Sequence, residues 1–120
     1  MLRRVARVLI CEPHDDISAL LELVVRRLGH EPVTFAGGEV DHIRIDAAVV
    51  EPGESVALGV ARSLRSNGVP VLFTSIYPPG AEALALQPVA YLVKPFSLYA
   101  LERALEQALA PPAAPAAATA

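Results

Sequence analysis

Residues 45–52 read Ile-Asp-Ala-Ala-Val-Val-Glu-Pro, an apolar run with no helical period that stops abruptly at a carboxylate and a proline. A run of this kind makes a strand buried on both faces, and such strands lie inside parallel sheets covered by helices on each side. In open parallel sheets the chemistry gathers outside the carboxyl ends of the strands. Glu51 therefore stands at the functional edge, and the other strand ends that reach this edge decide what the chain can do.

The flanking sequence supplies strands and helices in alternation. Residues 5–11 form a first strand, stopped at Glu12-Pro13 because proline cannot donate to a ladder. Asp15 is placed to cap a helix in which Ile17, Leu20, Leu21, Val24, Val25 and Leu28 make one apolar face; Glu22 and Arg26 form an i,i+4 pair on its polar side, and Gly29 ends it. Residues 32–35 make a short second strand, and residues 39–44 leave room for little more than one helical turn. Val56, Leu58, Val60, Ala61 and Leu64 mark a third helix that stops near Asn67-Gly68. Residues 69–73 are a fourth strand running into Thr74 and Ser75. A short fourth helix spans 81–86 with Pro79 before it, residues 89–93 are a fifth strand, and Ser97 caps a last helix carrying Leu98, Leu101, Leu105 and Leu109. This order predicts five β-α units in one domain, residues 1–110, with a parallel sheet. The segment 111–120 contains only Ala, Pro and Thr and reads as a disordered tail or the start of a linker.

Composition narrows the function classes. With 53% hydrophobic residues and no Trp, the core must be built from Val, Leu, Ile and Ala. Net charge is −3 and the basic residues are scattered; Arg3, Arg4 and Arg7 cluster only as solvated ends of the first strand, so no nucleic-acid surface is expected. The lone Cys11 excludes an intrachain disulfide and reads as a small buried side chain. No signal peptide and no stretch near the roughly 20 apolar residues of a membrane span are evident, which points to a cytoplasmic protein without membrane contact.

The first, third, fourth and fifth strands end in Glu12, Glu51, Thr74-Ser75 and Lys94. Two carboxylates, a hydroxyl and an ammonium on one edge are the inventory for holding a phosphoryl group. Over residues 5–109 the chain resembles the receiver domain of two-component response regulators. Tyr91-Leu92-Val93-Lys94-Pro95-Phe96 matches the family's closing strand with its lysine, proline and aromatic. Asp46-Ala47-Ala48-Val49-Val50-Glu51 matches the third strand, and Pro70-Val71-Leu72-Phe73-Thr74-Ser75 the fourth. The resemblance implies a flavodoxin-like α/β three-layer sandwich with a five-stranded parallel sheet in the order 2-1-3-4-5, here with shortened second and fourth helices. It puts Glu51 at the phosphoacceptor position, Ser75 at the position of the conserved hydroxyl, Lys94 at that of the conserved lysine, and Tyr91 at that of the aromatic whose rotamer reports activation.

Two departures fall in one site. The family's first strand ends in two acidic residues, the second of which binds magnesium directly; here they are Glu12 and Pro13, and a proline side chain has no oxygen. The phosphoacceptor position holds Glu51, one methylene longer than aspartate. Magnesium binding is accordingly expected to be weak or absent, with no other cofactor. Glu51 either mimics a phosphorylated state or pairs with Lys94, the second being preferred because a carboxylate carries less charge than a phosphoryl group. Asp15 and Asp16 are first-turn helix residues rather than metal ligands, and His14 is a solvent-exposed loop histidine beside the site. Thr74 and Ser75 either bind an anion or satisfy local backbone groups. Tyr91 is a switch or a half-buried aromatic covering the last helix.

The expectation is an atypical receiver in phosphorelay signalling that works as a phosphorylation-independent protein-binding module and not as an enzyme. Its partner is a histidine kinase, an effector or a second copy in a homodimer, bound through the fourth helix, fifth strand and last helix with Tyr91, Leu98 and Tyr99. The alternatives are a small phosphotransfer or phosphatase-like enzyme using Glu12, Glu51, Ser75 and Lys94, or a receiver phosphorylated on Glu51 itself.

Overall fold

A computed structural model describes residues 4–38, 40–41, 44–53 and 55–110. Nine elements follow in chain order: β1 (Arg7–Cys11), α1 (Asp15–Arg27), β2 (Glu31–Thr34), β3 (Ala47–Val50), α2 (Ser55–Ser66), β4 (Val71–Ser75), α3 (Ala81–Ala85), β5 (Ala90–Val93) and α4 (Leu98–Leu109). The strands form one sheet in the order β2-β1-β3-β4-β5, every neighbouring pair parallel. The central strand β3 is buried at all of its positions, as its unbroken apolar run requires.

Strand alternation splits the interior into two layers. Leu9, Cys11, Ala48, Val50, Val71 and Phe73 face α2 and α3, where Ala57, Ala61, Leu64 and Ala83 meet them. Val8, Ile10, Val49 and Leu72 face α1 and α4, against Leu21, Val24, Val25, Leu101, Ala104 and Leu105. The small residues of α2 let that helix sit close to the sheet.

Several local expectations are corrected. The helix starting at Asp15 has His14 at its N-cap without a side-chain cap, and Asp15 and Asp16 occupy the first turn, where their charge complements the helix dipole. Glu22 does not pair with Arg26; its Oε1 accepts the Thr34 hydroxyl at 2.7 Å, tying α1 to β2. In α2 the inward face is Ala57, Ala61 and Leu64, while Val56 is 63% exposed. The short helix expected over 81–86 is α3, five residues long with Gly80 at its N-cap and Pro79 just before it. The one-turn helix expected over 39–44 falls partly on residues outside the described ones; among those described, the Arg44 amide donates to the Asp41 carbonyl at 3.0 Å. Arg3 and the segment 111–120 also lie outside the described residues. Arg4 is solvated, as expected, with its side chain 83% exposed while Nη2 donates to one Asp46 oxygen at 2.9 Å; the other Asp46 oxygen accepts the Arg7 backbone amide at 2.8 Å.

Helices α1 and α2 are each followed by a glycine at positive φ, Gly29 at 88° and Gly68 at 80°, a backbone region that other residues enter only with strain. Ser97 caps α4, its hydroxyl accepting the Ala100 amide at 3.0 Å. No helix of the described residues is long and apolar enough to cross a membrane. Replacing Ser97 by alanine removes the side-chain partner of the Ala100 amide at the start of α4, and urea denaturation should show a loss of about 1 kcal/mol.

Candidate functional site

With every strand parallel, the residues just beyond the carboxyl ends of β1, β3 and β5 converge on one edge. These are Glu12, Glu51 and Lys94. They follow Ile10, Val49 and Leu92 at two-residue spacing, which places them over the α1 and α4 layer. Strand β5 is two positions from β3 and three from β1, about 10 Å and 14 Å at ordinary strand spacing. A long side chain from each end is needed to close such gaps, and lysine opposite glutamate provides them.

Lys94 Nζ donates to Glu12 Oε1 at 2.7 Å and to Glu51 Oε2 at 3.2 Å. The three side chains are 7%, 0% and 10% exposed in that order, so both ion pairs are withdrawn from water. The remaining carboxylate oxygens are also engaged. Glu51 Oε1 accepts the Gly53 amide at 2.9 Å, folding the side chain back over the Pro52 turn. Glu12 Oε2 lies 3.2 Å from both the His14 amide and His14 Nδ1. A carboxylate oxygen only accepts, so this contact places the imidazole proton on Nδ1. His14 remains largely exposed but is not isolated from the site. A cavity of about 140 Å³ opens beside the carboxylates, lined also by Cys11, Pro13, Phe35, Val56 and Ala57.

The two hydroxyls of β4 behave differently from one another and from the lysine network. Ser75 Oγ accepts the Tyr77 amide at 3.2 Å, and the Ser75 carbonyl accepts the Lys94 amide at 2.7 Å. The Ser75 hydroxyl thus serves its own turn and is not bonded to Lys94 Nζ. Thr74 is fully buried, and its Oγ1 meets no hydrogen-bond partner. By alternation from Leu72 it lies on the same sheet face as the ion pairs.

Tyr91 packs on the α2 and α3 side of the sheet, its ring centroid 6.0 Å from that of Phe73. Its hydroxyl donates to the Tyr77 carbonyl at 3.0 Å. The expectation that it covers the last helix is therefore corrected, because Ala90 and Leu92, not Tyr91, point toward α4. Gly53 was not anticipated as a site residue. Its signal was the Glu51-Pro52-Gly53 turn, since a Cβ at Gly53 would stand 3.0 Å from Glu51 Oε1.

No protein-family model matches the chain, and no curated protein matches it in sequence. In three dimensions it matches the signal receiver domain of a modulated diguanylate cyclase from Desulfovibrio desulfuricans G20, with a TM-score of 0.73 and 24% identity over 88% of this chain and 94% of that one. It matches the chemotaxis protein CheY4 of Vibrio cholerae with a TM-score of 0.72 and 21% identity, over 88% of this chain and all of that one (100%). A third similar structure is the receiver domain of a sensor histidine kinase from Pseudomonas aeruginosa PAO1, with magnesium coordinated in its active-site cleft. There the TM-score is 0.69 at 21% identity, over 88% of this chain and 98% of that one. The chain has the flavodoxin-like fold of response-regulator receiver domains.

The unpartnered Thr74 hydroxyl yields a direct test of how dry this edge is. Thr74→Val removes a buried polar atom that no protein group satisfies, so stability should rise by about 1 kcal/mol in urea melts. A loss of that size would reveal a bound water behind the ion pairs.

Proposed function

We propose that this chain is a cytoplasmic receiver domain of two-component signalling whose output is protein binding that does not depend on phosphorylation. The observation that carries this reading is the buried bridge from Lys94 to Glu12 and Glu51 at the edge where the receiver fold does its chemistry. A phosphoacceptor must present a free carboxylate oxygen to an incoming phosphorus atom. Both Glu51 oxygens are instead occupied, one by an ammonium and one by a backbone amide.

Three observations weigh against magnesium at this edge. Pro13 has no side-chain oxygen, each oxygen of Glu12 and Glu51 already meets an N–H group, and no three His, Cys, Asp or Glu side chains among the described residues group as a metal site. A divalent ion needs several oxygen ligands at once. The same facts weigh against a small phosphotransfer enzyme, which would need that ion or an accessible nucleophile.

The binding surface is the face built by α3, β5 and α4. Ile76, Tyr77, Leu84, Val93, Leu98 and Tyr99 are exposed apolar side chains there, a clustering that marks contact surfaces. Tyr91 is held under this face by its bond to the Tyr77 carbonyl, and the Arg103 guanidinium lies 5.8 Å from the centre of the Tyr99 ring. The partner is a protein: a histidine kinase, an effector or a second copy.

Acetyl phosphate or beryllofluoride with magnesium should leave the mass of the wild type and its amide NMR spectrum unchanged around Glu51, Ser75 and Lys94. An adduct on Glu51, or magnesium-dependent turnover of the phosphodonor, would overturn the reading. On the docking face, Tyr99 is 69% exposed, so Tyr99→Asp should change stability by no more than about 0.5 kcal/mol. It should weaken self-association or partner binding at least about tenfold, as loss of an aromatic anchor does.

A further inference from the structure

We infer that Lys94 is the resident cation of this site: its ammonium holds the position between Glu12 and Glu51 that a divalent ion would need, and the two glutamates become a divalent-ion site only when that ammonium is removed. The inference rests on the receiver reading above and states what regulates the same edge.

Glu12 and Glu51 aim one oxygen each at a single point, Nζ of Lys94, at 2.7 and 3.2 Å. Two carboxylates brought this close in a site only 0% and 10% exposed repel one another unless a cation lies between them. Something positive must sit at that point. The chain fills it from within, with a side chain carried on the strand-end turn after β5, so the requirement is met whatever the ionic composition of the solution. An ammonium is a compact point charge with three donors, and two of them are used here.

The fit is specific to these side-chain lengths. Lysine reaches past the end of β4 to Glu12, which lies three strands away, and glutamate supplies the rest of the span. Glu51 is braced toward the same point by the Gly53 amide, and Glu12 by His14. The glutamates are thus held in place by contacts other than the lysine. Removing the ammonium leaves two braced carboxylates beside a cavity of about 140 Å³ that they line together with Pro13 and Val56. That arrangement is poor for folding without a cation and suited to an oxygen-seeking ion with water completing its shell.

The test uses the full chain in three forms. Thermal melts of the wild type in millimolar magnesium or calcium should coincide with melts in chelator, and amide shifts of Glu12, Glu51 and Gly53 should not move. Lys94→Met should lower the melting temperature in chelator by roughly 10 °C or more, as loss of one member of a buried ion pair does. Millimolar divalent ion should restore a large part of that drop and shift the Glu12, Glu51 and Gly53 amides saturably. If Lys94→Met is unfolded in chelator, circular dichroism should show it folding when the ion is added. The third form, Lys94→Met with Glu12→Gln and Glu51→Gln, lacks the charges and should fold with no response to either ion.

A wild type whose amides shift with magnesium overturns the inference, as does a Lys94→Met protein that answers divalent ions no more than the triple variant does. These outcomes are separate from failure of the receiver reading, which is decided by phosphoryl or beryllofluoride uptake in the wild type. Magnesium binding without uptake sinks only the resident-cation inference. Uptake sinks the binding-module reading whatever the melts show.

Discussion

Two carboxylates and one ammonium, all nearly dry, form the constraint around which the functional edge of this domain is arranged. Desolvating charges costs several kcal/mol for each ion, and their attraction offsets this only when the geometry is good and the spare oxygens are bonded. Here those conditions are met by local devices. The turn at Pro52 brings the Gly53 amide to Glu51, and the start of α1 brings the His14 amide and ring to Glu12. The consequence reaches beyond the three residues, because Glu12 and Lys94 are 82 positions apart in the chain. Their pairing ties the strand-end turn after β5 to the end of β1 across β3 and β4, the two strands between them.

A buried ion pair of this kind is a weak source of net stability, since apolar residues of the same volume often do as well. Its effect is to select one arrangement. The two-layer core supplies the stability, with Val, Leu, Ile and Ala filling both faces of the sheet and Phe73 as the single large ring that is fully buried. The ion pairs then fix where the chain after β5 turns, and with it the approach to α4, whose start is held by Ser97. Tyr91 on β5 is pinned from the other side by the Tyr77 carbonyl. The face bearing Tyr77, Val93, Leu98 and Tyr99 is therefore bounded by bonded elements, which suits a surface presented in one conformation.

The parallel sheet was legible because its evidence is periodic and redundant: an unbroken apolar run at 47–50, a helical face at 17–28 and turn signals between them. The convergence of Glu12, Glu51 and Lys94 could be read once the strands were parallel, since the carboxyl ends then share an edge, whereas strand order came only with the resemblance to receiver domains. What could not be read depends on side-chain direction at element ends, where periodicity is lost. Val56 and Ala57 are adjacent, and only the packed helix reveals that the smaller one faces the sheet. Tyr91 was misassigned to the last helix because a four-residue strand can be set on either face by a shift of one residue. The bonds that His14 and Gly53 make to the carboxylates were missed for another reason. Each contributes a backbone amide, and a backbone amide has no sequence signature.

The length of the acidic side chains connects these observations. A glutamate at position 51 can turn back to its own Gly53 amide and still reach an ammonium with its second oxygen. A shorter aspartate would have to give up one contact or the other, leaving an oxygen free to face the cavity beside Pro13. Glutamate at position 12 likewise meets the lysine with one oxygen and the first turn before α1 with the other. The extra methylene at each site is thus what allows both carboxylates to be saturated by the protein at the same time. Every oxygen of the two carboxylates has an N–H partner within the protein, an arrangement that follows from side-chain length as much as from charge.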